Sequence, residues 1–355
     1  MAMGLLAVLV IMQTLSFSES RTRAIISGDD AQNNGAIALY GIQHEIQQAG
    51  YGLGSPKLFG CNLLLRPNVT LSRIAPVSIN HGSIPKGDPN TDSVLVIYGN
   101  TNGTAEEDVI ISHPSSTVYA MSSPSFFSAG DYVIAVPNLR SSPCNLILDR
   151  VVGVADYPSP NMKVSIGSKS DMAQGTVLNL GKSPQVLAYA IRANTLTVCK
   201  MVDIQVGSSP PLDQGKNCMD SAQINDSSVW VPLANNIVSL RAQYGRDTSS
   251  GVMDGIVDVY DQAGISPGNT GSISTECEVA RILAIRLALV ARSEQKAAAG
   301  TTAHPPSWAG GAITPIDLTK KPNGTANADW QNYRYKTFQT LVSLKNVLHP
   351  RASPC

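Results

Sequence analysis

Charge is scarce in this chain: of its 355 residues only 15% are Asp, Glu, Lys or Arg, against about 25% in ordinary soluble domains. The 26 basic residues are balanced by 26 acidic ones, so no basic field exists to hold a polyanion, and nucleic acid is excluded as an expected partner. Proline is missing from the first 55 residues, while all 22 prolines fall between Pro56 and Pro354. An uninterrupted helix is therefore permitted only at the start. The five histidines, His44, His81, His113, His304 and His349, form no His-x-x-x-His pair, so metalloprotease chemistry lacks its two ligands on one helical face. Gly181-Lys182-Ser183 imitates the end of a phosphate loop, but Thr176 stands where its first glycine belongs and Pro184 blocks the helix that should follow. Glu106 and Glu107 are adjacent, which on a strand sends them to opposite faces. No catalytic machinery is expected.

What is present falls into two unlike parts. Met1 to Met12 is apolar throughout and the first charge is Glu19, so residues 1–18 would rise roughly 27 Å as a helix, close to a bilayer core. Leu5, Leu6, Val8, Leu9, Val10 and Ile11 are the expected membrane or filament-core residues. Neither an upstream basic segment nor a small-x-small cleavage site accompanies the run, so it does not read as a secretory signal peptide, and the native segment is expected to start before Met1. A helix buried in a soluble core is the alternative. Over residues 19–53 the pattern becomes one-sided. Ile25, Ala31, Ala36, Leu39, Ile42, Ile46 and Ala49 form the apolar face, opposite Arg23, Asp30, Gln43 and Gln47. Leu39, Ile42 and Ile46 are the expected helix-to-sheet contacts. Gly50, Gly52 and Gly54, followed by Pro56, should end the helix. From Met1 to Ala49 such a helix would be about 73 Å long, so half of it must project.

Residues 54–355 read as a β-rich head. Strand patterns occur at Val94 to Tyr98, Tyr132 to Val136, Val186 to Ile191, Leu196 to Val202 and Ile237 to Tyr244, separated by Gly, Asn, Ser and Pro clusters. In Ala280 to Arg292, Leu283, Ile285, Leu287 and Leu289 alternate with Ala284, Arg286 and Ala288, which predicts another strand. Tyr333 to Leu344 alternates likewise, with Phe338, Thr340, Val342 and Leu344 on one face. Ala297 to Pro306 and Pro322 to Ala328 read as flexible loops.

Asp247, Asp254, Asp258 and Asp261 lie within 15 residues amid Thr248, Ser249, Ser250, Gly251 and Gly255. Such oxygen ligands suit calcium, with Asp247, Asp254 and Asp258 as the candidate ligands. The spacing is not that of an EF-hand, and an acidic surface turn is the competing reading. The cysteines, Cys61, Cys144, Cys199, Cys218, Cys277 and Cys355, contain no Cys-x-x-Cys and are even in number, which favours structural bridges in an oxidising compartment. Cys199 with Cys218, Cys61 with Cys144 and Cys277 with Cys355 is the expected pairing among the 15 allowed.

Several segments together carry a family resemblance. The apolar helix, the exit Gln47-Gln48-Ala49-Gly50-Tyr51-Gly52, the run Leu240 to Asp247 before the acidic loop, Arg286 to Ser293 and the closing Tyr333 to Phe338 resemble the PilW-type minor pilins of bacterial type IV pili. The resemblance implies an α+β, pilin-like fold: a long N-terminal helix packed on an antiparallel β-sheet in a β-rich periplasmic head. It also implies a single-pass inner-membrane protein that docks with other minor pilins and the pilus assembly machinery, priming or capping the pilus and entering its tip. No enzymatic activity and no cofactor other than calcium are expected. A type II secretion pseudopilin and a membrane-anchored periplasmic binding protein or enzyme are the rival readings.

Overall fold

The computed structural model describes residues 11–13, 31–100, 107–155, 160–168, 170–203, 215–265 and 275–347. The expected N-terminal helix is not shown as one long element. Residues 31–48 form a helix, here α1, and residues 11–13 are helical, while the intervening residues lie outside the described part. Glycine ends α1 as expected: Gly50 and Gly52 have φ of +85° and +77°, backbone that side chains with a β-carbon disfavour.

Four strands follow: β1 (Asn62–Arg66), β2 (Val69–Leu71), β3 (Val77–Ile79) and β4 (Val94–Tyr98). A six-strand unit comes next: β5 (Asp108–Ser115), β6 (Val118–Met121), β7 (Tyr132–Val136), β8 (Asn145–Ala155), β9 (Asn161–Val164) and β10 (Thr176–Gly181). These pair in the order β8, β7, β10, β5, β6, β9, and β9 returns to β8, so the unit closes into a ring without a free edge. Its interior is a separate apolar cluster that includes Ile110, Met121, Val133, Val151, Met162 and Val177. Buried Asp149 accepts backbone N–H bonds from Arg150, Ser165, Ile166 and Gly167, which pins the turn after β9 to β8. Outside the ring, β8 also pairs in parallel with β1.

The ring interrupts a second sheet. Strands β11 (Gln185–Arg192), β12 (Thr195–Lys200) and β13 (Val231–Asn235) join the earlier strands in the order β13, β12, β11, β4, β3. The chain thus leaves this sheet at β4 and re-enters beside it at β11. A third sheet is built from β14 (Ile237–Arg246), β15 (Val259–Asp261), β16 (Ile282–Arg292) and β17 (Tyr335–Ser343), in the order β15, β14, β16, β17, with a short helix α2 (Thr275–Ala280) before β16. All its pairings are antiparallel.

The alternating pattern of β16 predicts one buried face, and the structure buries both. Ile285, Leu287 and Leu289 join the core shared with α1. On the other side Ala288 and Val290 are covered by Trp308, Ile316 and Leu318 from the β16–β17 connection. That connection was expected to hold flexible loops, but its irregular backbone is tied down. Ala297 N and Thr302 N donate to Asn332 O and Gln331 O, and Lys321 N and Asn327 N donate to Thr325 O and Thr319 O.

Candidate docking surface

The helix-to-sheet unit packs α1 on the core. Ala31, Ala38, Ile42, Ile46 and Ala49 are buried, with Gly35, in spacings of three and four, while Leu39 is half-buried against the same core. A β-carbon on Gly35 would overlap the ring of Phe338 on β17, so the glycine lets the helix approach the sheet closely. The packed face agrees with the expected one at Ala31, Leu39, Ile42, Ile46 and Ala49 and differs at two positions. Ala36 is exposed, and Gln43, expected to face away, is half-buried and accepts a 3.2 Å hydrogen bond from Thr340 Oγ1. The phenol of Tyr98 on β4 donates to Glu45 Oε2. Burial, reinforced by the Glu45 carboxylate, holds the Tyr98 pKa far above its ordinary value, so the phenol stays a donor. At the C-terminal end of α1, Asn346 Nδ2 donates to Gln47 O and Gln48 O at 3.2 Å each, and Gly50 N donates to Ile97 O. The exit sequence Gln47 to Gly52 is thus a junction between the helix, β4 and the segment after β17.

The outward side of α1 carries two large apolar side chains. Ile37 and Tyr40 are each 70% exposed, and Tyr40 stacks with His44 one turn on, with ring centroids 6.4 Å apart. In the sequence this outward pair is marked only by the Ile37, Tyr40 and His44 spacing of three and four. Of the expected membrane or filament-core residues, Leu5, Leu6, Val8, Leu9 and Val10 lie outside the described part, while Ile11 is exposed. Among the described residues no helix is long and apolar enough to cross a membrane.

The acidic loop between β14 and α2 is arranged differently from the calcium expectation. Asp247 is buried and turned inward, accepting from Ser249 N and Gly255 N, with Arg281 Nη1 at 3.7 Å. Burial works to raise its pKa, but those N–H groups, the Ser249 hydroxyl and Arg281 outweigh it and keep the carboxyl below its ordinary range. Asp258 accepts from Thr248 N and Oγ1, and Asp254 from Ile256 N. Each carboxylate is engaged by its own loop, and among the described residues no three His, Cys, Asp or Glu side chains are placed to hold a metal. The loop instead presents Val252 and Ile256, about 60% exposed each.

Cysteine pairs fix the head. Cys61 is bonded to Cys144, at the junction of β1 and β8, and Cys199 on β12 is bonded to Cys218. Cys277 is disulfide-bonded as well, while Cys355, its expected partner, lies outside the described residues. One motif also escaped the reading of a chain without catalytic features: Gly264-Ile265-Ser266-Pro267-Gly268 has the glycine and serine spacing of a hydrolase nucleophile elbow. Ser266 lies outside the described residues.

Comparison with known proteins gives two similarities. No curated protein matches the chain. Among solved structures, the type IV-like pilin TTHA1219 from Thermus thermophilus aligns with 11% identity and a TM-score of 0.32, over 89% of this chain and 98% of that one. The family model described as type IV pilus-assembly protein W matches residues 201–346, the stretch that carries β13 to β17 and ends at the residue that holds the C-terminal turn of α1. Over residues 201–346 the chain is thus similar to the PilW family of type IV pilus-assembly proteins.

Proposed function

We propose that this protein is a minor pilin whose apolar N-terminal segment resides in the inner membrane and then in the filament, and whose periplasmic head helps prime or cap the pilus by docking on other minor pilins. The observation that carries this reading is the family match over the sheet that grips α1. A helix that is apolar all round is at home in lipid and in a bundle of similar helices, because both surround it with hydrocarbon. The outward stripe of Ile37 and Tyr40 continues such a surface down to the head. The head works by docking and carries no chemistry in this reading. An in-frame deletion of the gene in its own host tests it: loss of surface pili, restored by the wild-type chain, is expected, and normal piliation in the deletion strain overturns it.

A further inference from the structure

The third sheet ends in a long open edge. Strand β17 has nine residues, pairs with β16 in an unbroken register from Tyr335 to Ser343, and has no described strand on its other side. Two flanking bonds fix which way its main chain faces: Leu344 N donates to Leu283 O, and Ser293 N donates to Arg334 O. Both extend the register that sets Ser343 opposite Ala284 and Tyr335 opposite Arg292. Main-chain direction alternates along an antiparallel strand. The even-numbered residues of β17 therefore bond β16, while Tyr335, Thr337, Gln339, Leu341 and Ser343 turn their N–H and C=O groups outward. Among the described residues no hydrogen bond reaches those outward groups.

Open edges are ordinarily blunted by shortness, proline or charge. The other edges among the described residues follow that rule: β2, β3 and β15 have three residues each, and β13 carries Pro232. Strand β17 has no proline, and Lys336 is its one charge. Its surroundings suit a particular occupant. Gln43, which meets Thr340, follows Ala36 by seven residues and Tyr40 by three, so these two exposed side chains lie on the β17 side of α1. Residues 330–355 contain no Asp or Glu, whereas Arg334, Lys336 and Lys345 are exposed near the two ends of the strand.

We propose that β17 is a docking edge for an extended strand of another protein chain, apolar at alternate positions and acidic at its ends. An extended main chain offers donors and acceptors at the spacing of the outward groups. Its apolar side chains would lie beside Ala36 and Tyr40, and its acidic ends against the three cations. The proposal rests on the reading of the head as a docking module and names the kind of segment that docks. A synthetic peptide of alternating valine and threonine with glutamates at both ends tests it on the full chain in detergent, next to a lysine-ended version and one interrupted by proline. Fluorescence anisotropy should give a Kd of about 100 μM or tighter for the first, and about tenfold weaker binding for the other two. Hydrogen exchange at the Thr337, Gln339 and Leu341 amides should slow about tenfold when the first peptide binds. Leu341→Pro removes an outward N–H and no bond to β16, so affinity should fall about tenfold at an unchanged melting temperature. Should that variant fail to fold, Lys336→Glu combined with Lys345→Glu should reverse the preference between the glutamate-ended and lysine-ended peptides. No binding of the first peptide at about 1 mM, unchanged exchange at those amides, full affinity in a folded Leu341→Pro, or an unreversed preference in the double variant each overturns the proposal. Piliation enters none of these measurements, so the peptide can fail while the deletion strain still lacks pili, and the reverse.

Discussion

The ring of Phe338 occupies the space that a β-carbon on Gly35 would need. The helix backbone rests directly on that ring of the sheet, beside a core that also holds Ile42 and Ile46. Gly35→Val should therefore push α1 away from β17 and cost about 1–3 kcal/mol, despite the better helix propensity of valine. Ile46→Ala, which empties a fully buried site, should cost about 2–5 kcal/mol. Urea unfolding of the two variants checks both, and a Gly35→Val as stable as the wild type would show that the contact is slack.

The two assigned bridges should differ in worth. Cys61 and Cys144 are 83 residues apart, Cys199 and Cys218 only 19. In the chain-entropy treatment they contribute about 4.5 and 3 kcal/mol. Replacing both cysteines of a pair by serine should lower the melting temperature more for the Cys61 pair, as read by scanning calorimetry. The reverse order would mean that native contacts near β12 depend on the Cys199 bridge beyond its entropic part.

His81 should make the head acid-sensitive. Its Nε2 lies 2.6 Å from Ser72 O and its Nδ1 accepts from Ser83 N at 3.2 Å, a pattern only the neutral ring satisfies, with the proton on Nε2. Burial lowers its pKa from 6.5; the Ser72 bond opposes this, and nearby Arg73 adds to the lowering. Because the folded pKa lies below the unfolded one, this stability is present above pH 6.5 and is lost as pH falls through that value and below. Denaturant midpoints taken between about pH 7 and pH 5 should decline in the wild type. His81→Gln keeps a donor for Ser72 O and should flatten that decline. An unchanged slope would assign the sensitivity elsewhere.

The outward stripe of α1 should matter for assembly and not for folding. Ile37→Glu and Tyr40→Glu place charge at positions 70% exposed, so melting temperatures should stay within about 0.5 kcal/mol equivalent of wild type. Piliation of the host, counted by electron microscopy, should fall, because a buried unpaired charge at a helix-to-helix contact costs several kcal/mol. Full piliation with both variants would remove this face from the docking surface.

Local pattern in the chain predicts several elements closely. Val94 to Tyr98 and Tyr132 to Val136 are strands with those same ends, and the structure has a strand over Ile237–Arg246 where Ile237 to Tyr244 was expected. The short, polar or proline-bearing strands were not legible. Asp108–Ser115 includes His113 and Pro114, and Val69–Leu71 has three residues, too little for a periodic signal.

Composition and periodicity by themselves determined that an amphipathic helix over residues 31–48 precedes a β-rich head, and that glycine ends it at residues 50 and 52, because these depend on backbone preferences a few residues wide. Only the tertiary structure decided that six strands close into a ring inserted between β4 and β11, that β16 is covered on both faces, and that the Phe338 ring packs directly on Gly35 of α1. Those outcomes depend on contacts between segments tens to hundreds of residues apart, where the cost of closing a loop and the fit of one side chain against another, rather than any local pattern, select the arrangement.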